Sequence, residues 1–150
     1  PALYPSQNLD PRTALTPVSH VADVPTAMVV RAAGPFRSVQ EVLAAARADP
    51  GRLTYGSGGV GSSNHLAGAL FASAAGIELT HVSYRGAAPA MTALYAGEID
   101  MVFSSTVETL PHVQAGRARL LGVATPRRIP ALPEAPAIAE ILPGYAALNW

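Results

Sequence analysis

Apolar residues recur at Val39, Val42, Leu43 and Ala46, the i, i+3, i+4, i+7 spacing that lays one stripe along a helix. Ser38 and Glu41 frame its start as a capping box, in which the serine oxygen and the carboxylate satisfy the first orphan amides. Pro50-Gly51 ends it. Upstream, residues 1–16 are proline-rich and aperiodic, an extended lead-in. Val18 to Ala22 and Thr26 to Arg31 read as two short strands divided by Pro25, because proline cannot sit inside a central strand.

Downstream the pattern alternates. A strand at Leu53-Thr54-Tyr55 runs into the glycine- and serine-rich stretch Gly56 to Ser63, and a helix follows with Leu66, Leu70, Phe71 and Ala74 on one face and Gly76 at C′. Next come a strand over Leu79 to Ser83 and a helix opened by Gly86 and Pro89 and closed by Gly97. A strand over Ile99 to Phe103, a helix from Thr106 to Gly116 and a strand over Arg119 to Ala124 complete the series. A proline-rich segment with a short helix near Pro136 to Ile141 ends the chain.

Strands alternating with helices predict an α/β fold, a mostly parallel sheet with helices on its faces. In such sheets ligands sit at the carboxyl ends of the strands. Three strand-to-helix turns rich in small polar residues, 56–63, 84–88 and 104–106, should therefore open on one rim.

Composition narrows the chemistry. The chain of 150 residues is 49% apolar and 13% charged with zero formal net charge, a globular composition. All ten cations are arginine and none forms a basic stripe, so nothing argues for nucleic acid. Without Lys or Cys, Schiff-base, P-loop, disulfide and thiolate chemistry are excluded. No apolar run approaches the roughly 20 residues of a membrane span, and no secretory signal opens the chain. Both ends are abrupt, and the chain reads as a piece of a longer protein.

The turn at 56–63 carries the most information. Its glycines let bare amides approach a ligand, and Ser62 and Ser63 stand where an N-cap belongs, at the positive end of a helix dipole. That combination makes an anion cradle; the bland alternative is a flexible turn with an ordinary cap. Gly56, Gly58 and Gly61 also spell G-x-G-x-x-G, so a nicotinamide-dinucleotide-binding domain of an oxidoreductase is the alternative reading, with Arg85 as a partner for a 2′-phosphate. A serine nucleophile is disfavoured, because Tyr55 occupies the first glycine position of the elbow around Ser57. The four histidines lack metal-ligand spacing, and only His65, facing back toward the glycine turn, enters the candidate site. Carboxylates are sparse: Asp100 reads as lying in a strand, and Glu41, Glu108, Glu134 and Glu140 as caps or solvated faces.

The ordered run Leu53-Thr54-Tyr55-Gly56-Ser57, Gly61-Ser62-Ser63-Asn64-His65-Leu66-Ala67-Gly68 and His81-Val82-Ser83-Tyr84-Arg85-Gly86-Ala87-Ala88-Pro89 resembles the Bug (TctC) family, the extracytoplasmic solute receptors of tripartite tricarboxylate transporters. The resemblance continues through Gly97-Glu98-Ile99-Asp100, Leu110-Pro111-His112 and Pro130-Ala131-Leu132-Pro133 to Leu142-Pro143-Gly144-Tyr145. It implies one lobe of a two-lobed Venus-flytrap fold: residues 1–24 crossing from a first lobe, 25–124 a second ligand-binding lobe and 125–150 crossing back. It also implies a periplasmic, non-enzymatic receptor without cofactor or metal. A small carboxylate and the membrane components of the transporter are its partners, with no nucleic acid and no membrane insertion. The implied ligand-binding set is Ser57, Gly58, Gly59, Gly61, Ser62, Ser63, His65, Tyr84, Gly86, Ala87, Ser104 and Ser105. Ser104-Ser105 stand where the family often has Asp-Asn, which bears on the identity of the ligand.

Overall fold

The computed structural model describes residues 22–149 and, before them, Asp10, Ala14, Thr16, Val18 and Ser19. The strand expected over Val18–Ala22 lies partly outside the described residues; Val18, Ser19 and Ala22 are not in a strand, and Val18 is exposed. The elements run β1 (Val24–Arg31), α1 (Val39–Ala48), β2 (Thr54–Ser57), α2 (Ser63–Ala75), β3 (Thr80–Ser83), α3 (Ala87–Ala96), β4 (Met101–Ser105), α4 (Thr106–Gln114), β5 (Ala118–Val123), a 3-10 turn (Ile138–Glu140) and β6 (Leu148–Asn149).

Pro25 does not divide β1. The ladders to β4 and β5 begin at Thr26 and Ala27, and Pro25 pairs only with Leu148 of β6, beyond the central sheet. The sheet order is β3-β2-β4-β1-β5, with β6 on the outer end of β1. Strands β3, β2 and β4 are parallel neighbours, whereas β1 runs antiparallel to both β4 and β5. The other strands thus share one direction and β1 alone opposes it, a reversal that apolar spacing does not encode.

Alternation along β1 divides the core. Met28 and Val30 face a layer with Val39, Val42, Leu43 and Ala46 of α1, Ala67 and Phe71 of α2, and Ile138, Leu142 and Tyr145. Ala27 and Val29 face α3 on the other side, through Ala90, Met91 and Leu94. The residues spaced for a helical stripe in α1 are its buried ones, and Ser38 caps it by accepting from Glu41 N–H. Glu41 receives the Arg37 amide rather than that of Ser38, shifting the capping box outward by one residue.

In α2 the expected face holds at Phe71 and fails at its other three positions. Leu66, Leu70 and Ala74 are exposed, while Asn64, Ala67, Gly68 and Phe71 are buried. The reason is steric: a Cβ on Gly68 would collide with the Tyr55 ring, so α2 presents its small residues to the sheet and comes close. Asp100 also differs from its reading. It precedes β4, and its Oδ2 accepts from Thr54 N–H at 2.8 Å and Thr54 Oγ1 at 2.9 Å, closing the sheet edge opposite the helix-opening turns.

Candidate functional site

Because β2, β3 and β4 are parallel, their last residues, Ser57, Ser83 and Ser105, lie on one edge, and the three polar turns leave from it. Two of them touch. Gly86 N–H donates to Gly58 O at 3.3 Å, Tyr84 N–H to Ser57 O at 2.9 Å, and a Cβ on Gly58 would stand 3.2 Å from the Gly86 carbonyl carbon. The start of α3 therefore rests against the turn that enters α2.

Within that turn most polar groups are already engaged. Ser57 is fully buried; its Oγ donates to Gly59 O at 3.0 Å, receives Gly59 N–H at 3.2 Å and lies 2.7 Å from His81 Nε2. Ser62 sends both its amide and its hydroxyl to Gly59 O, at 3.2 and 2.8 Å, and its Oγ caps α2 by receiving His65 N–H. Gly61 N–H donates to His65 Nδ1 at 3.1 Å. Ser57, Gly59, Gly61, Ser62 and His65 are thus brought together as the internal bonding of the turn. What remains open is the start of the helix: the amides of Ser63 and Asn64 find no acceptor among the described residues, and neither do those of Ala87 and Ala88 in α3. Ser63 Oγ makes only a long bond, 3.3 Å, to Asn64 Oδ1.

The other members of the predicted set divide. Gly86 and Ala87 stand at the rim, where Gly86, at φ 108°, caps α3 with no side chain of its own. Tyr84 spends its amide on Ser57, and its ring packs into the α3 face beside Gly56; burial first, then nearby Glu98, pushes its hydroxyl pKa up. The Tyr84 ring therefore turns from the rim into the fold. Arg85 is exposed. At the third turn Ser105 caps α4 by accepting Glu108 N–H, and buried Ser104 donates its hydroxyl to Glu108 Oε2 at 2.5 Å. Glu108, expected as a cap or a solvated face, is exposed in the first turn of α4 and brings a carboxylate to this turn.

A ring cluster under the first turn escaped the sequence reading. His65 and His81 have centroids 4.2 Å apart, and Tyr55 stands 4.9 Å from His81 and parallel to His65 at 6.3 Å. The signal available was register: Tyr55 and His81 each lie two residues before the serine that ends their strand, and parallel pairing sets them side by side. His20 lies outside the described residues. No group of three or more His, Cys, Asp or Glu among the described residues is placed to hold a metal ion.

Burial, and after it the neighbouring His65, lowers the His81 pKa from its ordinary 6.5. The unfolded chain then binds a proton at His81 more readily than the folded one. The His81 contribution to stability is complete above pH 6.5 and is lost as pH falls from there through the lowered native value. Thermal melts at pH 7.5, 6.5 and 5.5 should show a falling midpoint, flattened in His81→Gln. Equal slopes in the two proteins would remove His81 as the cause.

A Cβ on Gly56 would strike Ile99, so the first glycine of the G-x-G-x-x-G stretch is required by internal packing. Comparison with known proteins gives the dinucleotide reading no support. The family model described as "Tripartite tricarboxylate transporter family receptor" matches residues 1–150. A protein of Pseudomonas sp. (strain P51), "UPF0065 protein in tcbD-tcbE intergenic region", is 46% identical over 136 residues, 89% of this chain and 40% of that protein. Among solved structures, Rpa4515 of R. palustris with adipate superposes with a TM-score of 0.89 at 36% identity, over 99% of this chain and 50% of that one. MatC (Rpa3494) from Rhodopseudomonas palustris with bound malate gives 0.86 at 25% identity, over 98% and 50%. The chain spans about 40% of the curated relative's length and half that of these two structures. Its α/β architecture, a sheet carrying helices on both faces, is that of one lobe of a periplasmic binding protein. With a family match over its whole length, the chain belongs to the tripartite tricarboxylate transporter receptor family, TctC.

Proposed function

We propose that the protein captures a small organic carboxylate in the periplasm and delivers it to the membrane components of a tripartite tricarboxylate transporter, without catalysing a reaction. One observation carries the reading. Two helix starts, α2 and α3, are held together by the Gly58–Gly86 contact, and the amides of Ser63, Asn64, Ala87 and Ala88 have no acceptor among the described residues. Uncharged donors at the positive ends of two helices suit a carboxylate, and they keep it desolvated without committing a buried cation. In this reading the amides of Ser63, Asn64, Ala87 and Ala88 and the Ser63 hydroxyl hold the ligand, while Ser57, Gly59, Gly61, Ser62 and His65 shape the turn.

The adipate and malate bound by the two solved relatives support this ligand class. Buried Ser57 is a latch rather than a nucleophile, consistent with a non-catalytic role. A first lobe would be reached through residues 1–24 and the end of 125–150, where β1 and β6 lie side by side. The return segment first packs on this lobe: Ala147 N–H donates to Ala124 O, and Ile138, Leu142 and Tyr145 enter the core.

Thermal unfolding of the protein, with its flanking chain where the gene encodes more, should move upward with a dicarboxylate such as adipate or malate. Ligand at a hundredfold excess over Kd adds about 2.7 kcal/mol, or roughly 5–10 °C for a domain of this size. A panel of organic acids that leaves the midpoint in place, alongside a shift with a nicotinamide nucleotide, would overturn the assignment.

A further inference from the structure

We propose that His65 and His81 are positioning residues that together set the shape of the 57–63 turn, with His65 Nδ1 the fixed acceptor of the Gly61 amide. The consequence for binding rests on reading that turn as an anion cradle; the geometry stands without it.

The turn has two anchors. Gly59 O is held from both sides by the hydroxyls of Ser57 and Ser62, and Ser57 in turn lies against His81 Nε2. Gly61, at φ 82°, makes the final reversal into α2, and among the described residues its amide has one partner, His65 Nδ1. The Gly61 peptide lies two residues before Ser63, so its orientation sets where the open amides of the first helical turn point. His65 belongs to the helix whose start it shapes, four residues beyond Gly61, and this short closed ring fixes its backbone. The plane of its imidazole is fixed by His81 at 4.2 Å and by the parallel Tyr55 ring.

This bond specifies a protonation state. An imidazole that accepts at Nδ1 carries its hydrogen on Nε2, and an imidazolium, a donor at both nitrogens, cannot accept at all. Three titratable groups meet here: His65 from α2, His81 from β3 and Tyr55 from β2. Burial pushes the Tyr55 hydroxyl pKa up, so that ring is neutral, and burial together with His65 lowers that of His81. No carboxylate or arginine partner of either imidazole occurs among the described residues. A proton on His65 Nδ1 would remove the acceptor of the Gly61 amide and release the turn.

Nitrogen-15 spectra of the imidazoles and amides, recorded on the protein without ligand from pH 7.5 downward, test the geometry directly. The expected result is the Nε2–H tautomer for His65 and a Gly61 amide resonance that moves as His65 gains its proton. In His65→Asn, where Oδ1 stands near the place of Nδ1, that amide should stay put across the same range. An Nδ1–H tautomer, or a Gly61 amide indifferent to the His65 titration, overturns the proposal. Calorimetry with adipate and malate as probes tests the consequence. His65→Asn should keep the affinity within about threefold and lose its sensitivity to acid, whereas His65→Leu should weaken binding about tenfold. Equal affinities in the two variants would reduce His65 to a space-filler and also overturn the proposal. If neither acid binds the unaltered protein, the receptor reading fails and the tautomer still decides the role of His65. If His65→Leu does not fold, the tautomer and His65→Asn decide it.

Discussion

Replacing Phe71 by alanine should cost about 3–5 kcal/mol, the usual scale for deleting a buried aromatic ring. The side chain is fully buried, with its ring 5.5 Å from that of Phe103 and 5.8 Å edge-on to that of Tyr145. These contacts join α2 to the central strand β4 and to the returning segment, which Tyr145 secures again by donating its hydroxyl to Ala67 O at 3.1 Å. Native proteins hold only about 5–15 kcal/mol in total, so the change removes a large part of the margin. The unfolding midpoint should fall by roughly 10 °C, read by calorimetry or circular dichroism. Leu70→Ala is the matched control: one residue away on the exposed face, it should cost well under about 1 kcal/mol. Equal losses would mean that the buried face of α2 is wrongly assigned.

That pair of variants also marks where the sequence was legible. The spacing in α1 named all four buried positions because they are large enough to bury and because a cap announces where the helix starts. In α2 the same rule picked Phe71, which is buried, together with Leu66, Leu70 and Ala74, which are exposed. Nothing in the local pattern says that Gly68 must lie under Tyr55, a partner thirteen residues earlier and on another element. Hydrophobic size is local information and close approach is not. The opposed direction of β1 escaped for a related reason: spacing predicts that a segment is a strand, whereas its direction depends on which neighbours it joins, and β1 joins strands seventy and more residues away.

The candidate edge was legible as a place and illegible as a bonding scheme. Glycine and serine after three strands predicted that polar turns gather on one edge, and parallel pairing puts them there. Which donors remain open depends on bonds between residues, and those reverse several single-residue expectations. Ser57 and Ser62 offer hydroxyls in the sequence yet consume them holding Gly59, and the amide of Gly61 goes to His65. Ser104-Ser105 suggested a turn without a carboxylate, but Glu108 reaches back one helical turn to supply one. A counted polar group becomes a ligand contact only if the fold leaves it unspent.

If the two helix starts share a carboxylate as proposed, Gly58→Val should weaken its binding by tenfold or more while leaving most of the fold intact. A Cβ at this position would stand 3.2 Å from the Gly86 carbonyl carbon and 3.3 Å from Ala87 N, both backbone atoms that cannot rotate aside. Two further methyl groups must force the turns apart, lengthening the Gly86-to-Gly58 hydrogen bond that joins them. The cost in stability should be that of local overpacking, about 1–3 kcal/mol. The cost in affinity should be larger, because a carboxylate spanning two sets of amides loses its grip on one of them and keeps the entropy of ordering the other. Each charge-assisted bond is worth about 1.5–3 kcal/mol, so losing one set reduces affinity by tenfold or more. Gly58→Ala gives the graded intermediate, since its single methyl asks the neighbouring turn to yield by only a few tenths of an ångström. Calorimetric titration of both variants with whichever acid raises the unfolding midpoint decides the point. Undiminished affinity in Gly58→Val would show that the two helix starts do not share a ligand, and the contact between the turns would then be packing alone.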